Sequence, residues 1–462
     1  MKTRKITSIL VLAGLLNLNI TVPSAMAFGP WGKKVINAQV SEYKFDYVNM
    51  PWWESFNDEI LTGYILKALD SNQDLKVATL KVEEFNQLAK IQFGKELPSL
   101  TTAPGLGQFK MPNENGNGAF GIPLLVSYEL DLFAKNHDKT KAAKKQYEAS
   151  KFDERAAYIS VSSAVASTYL NLVKVDKLIA IQRDIIDYKQ QIYDLMLKRN
   201  HQGITSTADT VRANKDLVLA QTELIELQKN QQVLLNALCV LTGDSPANAQ
   251  NMQRIAYDDI KFNQDIPDAI PSAVIVRRPD VLRAEKNVEK AGIDVKVARK
   301  ELLPSFNIMG LMAFSSSSLS SAFNWSNTLA GIGGGMLFPL FAGGQKVGNV
   351  RLKKNQYEQI LQSYQKTNLV AIQEVNDALS SLKLDNEKYL QNIKKLDMEK
   401  QDFGFNEKRY KQGTISYLDL IQNKENLLDM DKTVASNKTD CLIDFISLYK
   451  ATGSKPYGSS NL

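Results

Sequence analysis

The chain has 462 residues, 44% hydrophobic and 23% charged, with 56 Lys and Arg against 50 Asp and Glu. That length suggests two or three domains, and the balance is that of a folded, water-exposed protein and excludes a disordered one. The formal charge of +6 is spread among acids along the chain, so no basic stripe forms and no nucleic-acid partner is expected.

Lys2, Arg4 and Lys5 precede an apolar run from Ile9 to Leu16, with no acid before Ala25-Met26-Ala27. The pattern predicts a signal peptide over 1–27 and a mature chain starting at Phe28. The run is too short to be a membrane anchor. No cysteine lies near the cleavage site, so no lipid anchor is expected there. Cys239 and Cys441 lie in helical, apolar surroundings and read as buried thiols. No later segment approaches about 20 uninterrupted apolar residues, so any entry into a membrane must be by strands.

Next, Pro51-Trp52-Trp53-Glu54-Ser55-Phe56 leads into a helix with Ile60, Leu61, Ile65, Leu66 and Leu69 at helical spacing. The tryptophans read as packing against the helix base, in preference to a ligand site. A second helix starts at Asn72-Gln73-Asp74 and runs to Leu97, where Pro98 stops it. Ser99 to Gly118 is rich in Gly, Pro, Asn and Thr, a weak strand. After it Phe120, Ile122, Leu124, Val126, Tyr128, Leu130 and Leu132 alternate with small or polar residues, as a membrane strand requires.

From Ala134 to Gln202 no proline or glycine interrupts the chain, enough for a helix of roughly 100 Å. Leu178, Ile181, Ile185, Tyr188, Ile192 and Leu195 keep a heptad seam along it. Gly203 breaks the run, and a return helix with Leu217, Ala220, Leu224, Leu227, Leu234, Leu238 and Leu241 ends at Thr242-Gly243. A Pro/Asn/Asp-rich linker, 244–279, follows.

The chain then repeats itself. Asp74, Ala78, Val82, Glu83, Lys90, Leu97, Pro98 and Ser99 recur at constant offset as Asp280, Ala284, Val288, Glu289, Lys296, Leu303, Pro304 and Ser305. The unit 28–243, with a β-hairpin about 99–133 and a helical hairpin tipped at 203, is duplicated as 280–453. There the β-hairpin is about 305–341 and the tip is at 413; a tail, 454–462, ends the chain. Phe306, Ile308, Met312 and Phe314 share one strand face, and Ala330, Ile332, Met336, Phe338 and Leu340 another. Gly331, Gly333, Gly334 and Gly335 precede no helix or Gly-Lys-Ser/Thr, so they read as close strand packing and not as a phosphate loop. The second helical seam is Ile372, Val375, Leu379, Leu382, Tyr389, Ile393, Leu396 and Phe403. The turns KRNHQGITSTAD (Lys198 to Asp209) and KRYKQGTISYLD (Lys408 to Asp419) align closely.

Four strands per chain cannot close a membrane barrel, since known barrels begin at about eight. Open edges in lipid leave backbone groups unpaired. Copies must therefore associate, two giving eight strands and three giving twelve. The expected fold is mixed α and β, a strand barrel continuous with a bundle of long helices. An enzyme is not expected: the chain has two histidines, His137 and His201, and no nucleophile elbow. No cofactor and no metal are expected. A non-conducting coiled-coil scaffold would leave the apolar strand faces nothing to bury.

The motifs Trp52-Trp53-x-x-Phe56-x-Asp58, Leu97-Pro98-Ser99, Glu129-Leu130-Asp131-Leu132-Phe133, Arg277-Arg278-Pro279-Asp280, Leu303-Pro304-Ser305, Phe338 to Gly344 and Arg409-Tyr410-x-x-Gly413-x-x-Ser416-x-x-Asp419 span almost the whole mature chain. In this order the chain resembles the TolC family of outer-membrane efflux proteins, in the branch paired with resistance-nodulation-division pumps. The resemblance implies a homotrimer with a twelve-stranded barrel in outer-membrane lipid and a long periplasmic α-helical tunnel. It implies a periplasmic adaptor (membrane fusion) protein and an inner-membrane pump as partners. The function it implies is the exit duct of a tripartite efflux system for drugs or other small molecules; the alternative is a channel for type I protein secretion or metal efflux. By motif position Gly203 and Gly413, with Gln202 and Gln412, would be the tips that meet the adaptor. Asp209 and Asp419, six residues on and nearly two turns along the return helices, would face the narrowed opening, with Arg212 nearby. Gln422 stands where some members carry a further aspartate.

Overall fold

A computed structural model describes residues 52–103, 105–108, 118–260, 266, 270, 272–316, 325–338 and 340–453. The expected signal peptide, most of both strand-loop tips, part of the linker and the tail lie outside the described residues.

The first described element is a 3-10 turn, Trp52–Phe56. Trp52 stacks on Tyr449 with ring centroids 4.9 Å apart, and Phe56 meets Phe445 edge-on at 6.0 Å. Both tryptophans are buried, so they fasten this turn to the helix that carries Phe445 and Tyr449 and leave little face for a ligand. Asp58 accepts from the amides of Ile60 and Leu61 and caps α1 (Glu59–Ser71). Asn72 then caps α2 (Gln73–Gly94) through Leu75 N.

Five strand segments make one antiparallel sheet: β1 (Ser99–Thr102), β2 (Gly105–Gln108), β3 (Gly118–Leu130), β4 (Ser305–Ser316) and β5 (Thr328–Leu337). β1 and β2 lie in one register on β3, Thr102 opposite Leu124 and Gly105 opposite Gly121. They form a single lane interrupted between Thr102 and Gly105. The lanes run β1/β2, β3, β4, β5, so the two repeats share one sheet whose outer edges are β1/β2 and β5. Pairing places Val126 opposite Gly310 and Gly310 opposite Ile332, and likewise Tyr128, Ile308 and Gly334 in line. The apolar sets read from β3, β4 and β5 therefore fall on the same face of the sheet, because side chains alternate with period two. Phe338 and Leu340 lie beyond β5, which ends at Leu337 before Pro339. The glycines 331, 333, 334 and 335 sit within β5, paired to β4.

The helices repeat with equal lengths. α2 and α6 (Pro279–Lys300) have 22 residues each, and a short α5 (Ser272–Val276) precedes α6. α3 (Lys135–His201) and α7 (Gln345–Lys411) have 67, and α4 (Thr207–Thr242) and α8 (Tyr417–Thr452) have 36. α3 contains a stretch long and apolar enough to cross a membrane by composition, yet 56% of that stretch is buried inside the protein. Val165, Tyr169, Leu172 and Val173 supply the core there. In the coiled coil Ile181, Ile185, Ala220 and Leu428 pack together from α3, α4 and α8. Ile372 departs from the expected seam: it is exposed, and Ala371 is buried in its place.

The strands enter the long helices through short junctions. Asp131 accepts from the amides of Asn136 and His137, capping α3, while Ala134 adopts a left-handed φ of 54°. At the equivalent position before α7 stands Gly344, φ 77°. Lys300, ending α6, donates to Ala134 O and Asp138 Oδ2 at 3.1 and 2.6 Å. Arg278 is buried and binds Asp280, Glu374 and Ala451 O, fastening the restart of the repeat to the end of α8. Both cysteines are buried free thiols.

Candidate functional site

Each helical hairpin turns at its glycine. Gly203 and Gly413 have φ of 72° and 69°, the left-handed conformation that costs glycine nothing. Ile204 N donates to Arg199 O and Gly203 N to Asn200 O, both 2.9 Å. Thr414 N to Arg409 O and Gly413 N to Tyr410 O repeat the pair at 2.9 Å. These are Schellman turns, which satisfy the last carbonyls of α3 and α7. Gln202 and Gln412 are the residues just before the glycines, and a Cβ at either glycine would meet nothing within 4 Å. The four candidate tip residues thus form two matching, open turns.

Beyond each turn a serine starts the return helix. Ser206 Oγ accepts from Asp209 N at 3.2 Å and donates to Asp209 Oδ2 at 2.7 Å. Ser416 makes the same pair with Asp419, at 3.1 and 2.7 Å, and its own amide also donates to Asp419 Oδ2 at 3.1 Å, completing a capping box. The aspartates therefore lie in the first turn of α4 and α8, not nearly two turns along, because residues 202–206 and 412–416 are spent on the turn and the cap. Both are exposed. Hydrogen bonds from Ser416 side chain and backbone hold the Asp419 carboxyl below its ordinary range, with Arg409 adding to the effect. Helix-capping alone accounts for an acid here, since the amide ends of a helix favour negative charge.

A groove of about 500 Å³ opens between the first hairpin and the start of α8. It brings together Asp209, Arg212 and Gln422, with Lys189, Arg199 and Leu418. Asp419 is not among the lining residues. Arg199 Nε is buried in this region without a hydrogen-bond partner.

Sequence reasoning missed the ties between the two hairpins. Tyr417 Oη donates to Gln191 Oε1 at 2.6 Å, and Lys189 pairs with Glu425 at 2.6 Å. Gln182, fully buried, donates to Ala220 O at 2.8 Å and accepts from Lys432, which also reaches Glu223 at 3.2 Å. One polar node thus joins α3, α4 and α8. Its only sequence signal was a glutamine next to the heptad seam, which says nothing about its partners.

On the sheet, a second groove of about 740 Å³ is lined by Leu125, Asn307, Met309 and Leu311 with the glycines of β5.

Against known proteins, the model of the outer membrane efflux protein family matches residues 64–244 and 270–454. The toluene efflux pump outer membrane protein TtgC of Pseudomonas putida is 27% identical over 418 residues, covering 87% of this chain and 84% of that protein. The cation efflux system protein CusC of Escherichia coli K12 is 25% identical over 419 residues, covering 88% and 89%. The crystal structure of the Campylobacter jejuni CmeC outer membrane channel superposes with a TM-score of 0.79 at 26% identity, covering 87% of each chain.

Proposed function

The chain belongs to the outer membrane efflux protein family, and from that premise we propose how its parts work. It is an outer-membrane efflux channel, the exit duct of a tripartite pump, with a long helical extension into the periplasm. The observation that carries the reading is the sheet. Its four lanes, open at β1/β2 and β5, run directly into helices of 67 residues.

Open strand edges are not tolerated in lipid. Three copies, each joining its β5 to the next chain's β1/β2, close a barrel of twelve lanes. The face carrying Val126, Tyr128, Ile308 and Ile332 turns to lipid, and the glycine-rich face lines the lumen. The exposure of Ile332 at 83% in the single chain fits a surface that water does not normally touch. The helical hairpins of three chains then give six, arranged as a tunnel.

The turns at Gly203 and Gly413, with Gln202 and Gln412, are the docking tips for a periplasmic adaptor, behind which stands an inner-membrane pump. Their open surroundings support this. Asp209, Arg212 and Gln422, gathered in one groove, together with Asp419, line the periplasmic opening. Relatives named for toluene and for cations match over the same span at nearly equal identity. Selection of cargo therefore belongs to the pump, and the duct passes drugs or other small molecules that the pump delivers.

Native mass spectrometry in detergent tests the assembly: three copies are expected as the dominant species. A stable folded monomer or dimer would overturn it.

A further inference from the structure

Charge is not evenly placed in the folded chain. The segments 90–96, 135–145, 296–301 and 345–354 carry 14 of the 56 Lys and Arg and only three of the 50 Asp and Glu, so the rest of the chain is net acidic. They are the end of α2, the start of α3, the end of α6 and the start of α7. No one stretch of sequence forms a basic stripe. All four segments adjoin the strands, and α3 packs on α2 and α6, and α6 on α7. Folding therefore gathers them into one basic collar where the sheet passes into the helices.

The collar has a paired side and a free one. Lys135 binds Glu129 at 2.6 Å, Lys300 binds Asp138 at 2.6 Å, and Lys139 pairs with Glu301 at 3.2 Å; these pairs tie strand to helix and α3 to α6. Lys144, Lys296, Arg299, Arg351 and Lys354 are exposed and make no ion pair among the described residues. Helix formation does not explain the charge on α7. Lys346 stands in its first turn, which holds no acid, although the helix dipole disfavours a cation there. Next to the collar, on the strand side, large apolar side chains lie bare. Leu132 and Phe133, between β3 and α3, are 63% and 39% exposed, and Leu340 and Phe341, between β5 and α7, are 87% and 90% exposed. An apolar, aromatic girdle followed by a polybasic belt is the order met on leaving a bilayer, rings at the headgroup level and cations at the anionic surface.

We propose that the collar, through Lys144, Lys296, Arg299, Arg351 and Lys354, binds anionic phospholipid headgroups of the leaflet that faces the helices, and so fixes the depth at which the barrel sits. The inference rests on the reading of the sheet as a membrane barrel. Reach permits the contact. Lys354 is the tenth residue of α7, about 14 Å from its start at 1.5 Å per residue. A headgroup layer of about 5–8 Å and a Debye length of about 8–10 Å span that distance. Attraction of this kind requires net negative charge on the lipid, so phosphatidylglycerol should bind where phosphatidylcholine, which carries the same phosphate without net charge, does not.

The test places a fluorescent reporter in the girdle. The Phe341→Trp protein is reconstituted in phosphatidylcholine vesicles doped with phosphatidylglycerol, or with phosphatidylcholine, whose acyl chains are brominated and quench tryptophan on contact. The unsubstituted protein supplies the background of the native tryptophans. At equal doping, brominated phosphatidylglycerol should quench at least about twofold more than brominated phosphatidylcholine, and high salt should abolish the difference. Combining Lys144→Gln, Lys296→Gln, Arg299→Gln, Arg351→Gln and Lys354→Gln should abolish it too. The salt arm uses no collar substitution, so it decides the matter even where the fivefold variant fails to assemble. Equal quenching by the two lipids, or a preference that survives in the folded fivefold variant, would overturn the proposal. Co-sedimentation of the detergent-solubilised protein with peptidoglycan, lost in the fivefold variant while the two lipids quench equally, would overturn it in favour of the cell wall. No quenching by either lipid, in vesicles that conduct ions through the protein, would overturn it and leave the barrel standing. A protein that neither conducts nor floats with the vesicles would overturn both.

Discussion

Asp444, half-buried on α8 beside Asp385 and Asp440, sets a pH dependence of stability. Burial, then the neighbouring Asp385, raises its carboxyl to about 6 from an ordinary 3.8. A carboxyl whose folded pKa is raised binds its proton more tightly in the native state, so stability falls as pH climbs from about 4 to about 6 and is level above. Asp444→Asn removes the charge and should stabilise the protein above pH 6 by about 1–2 kcal/mol, discounted for partial exposure. Near pH 4 the effect should vanish. Thermal unfolding of wild type and variant at pH 4 and pH 7.5 checks this, and equal shifts at both would refute it. Asp419 behaves in the opposite sense. Its carboxyl is held low by Ser416, so its capping contribution is present at neutral pH and is lost only in strong acid, below the usual carboxylate range.

Among the elements, the glycines that end the helices separate into two kinds. Gly243 and Gly203 both have positive φ, 75° and 72°, so alanine at either costs about 1–2 kcal/mol in strain. A Cβ on Gly203 meets open space, whereas on Gly243 it would lie 2.7 Å from Ser71 O. Gly243→Ala should therefore cost about 2–5 kcal/mol through added overpacking, and Gly203→Ala no more than its strain. Denaturant titration of both variants, read by circular dichroism, orders them. At the proposed docking tips the expected effect is on partner binding and not on folding. Gly413→Trp should abolish drug resistance in a complemented deletion strain while the trimer level on a gel stays normal. Unaltered resistance would remove Gly413 from the adaptor contact.

For the whole molecule, assembly decides what the carboxylates at the tips do. If, as proposed, Asp209 and Asp419 from three chains face one narrowed opening, they would repel by about 1 kcal/mol per pair at 4 Å in water, and more in a confined space. A cation held there would offset that repulsion. Divalent or trivalent cations added from the periplasmic side of a planar bilayer should block single-channel conductance of wild type. Asp419→Ala should resist the block by an order of magnitude in concentration. Equal block in both would show that Asp419 faces away from the opening, and the groove holding Asp209, Arg212 and Gln422 would then be the narrowing.

By itself the sequence determined the elements and their duplication. Glycine marks where helices stop, as at Gly203 and Gly243, while α2 ends at Gly94, three residues short of the expected stop at Leu97-Pro98; side-chain periods of two and about 3.5 separate strand from coiled coil. Those are local properties, carried by neighbours in the chain. The family followed from motifs whose order is also local. Tertiary structure decided the rest. The sequence counted six residues from the tip glycines to the aspartates, but only the folded turn placed Asp209 and Asp419 as caps in the first turn of α4 and α8. No pattern in the sequence pairs Gln182 with Lys432; the packing of α3, α4 and α8 brings them together. Such pairings join residues far apart in the chain, and burial, which no local pattern encodes, fixes which of them matter.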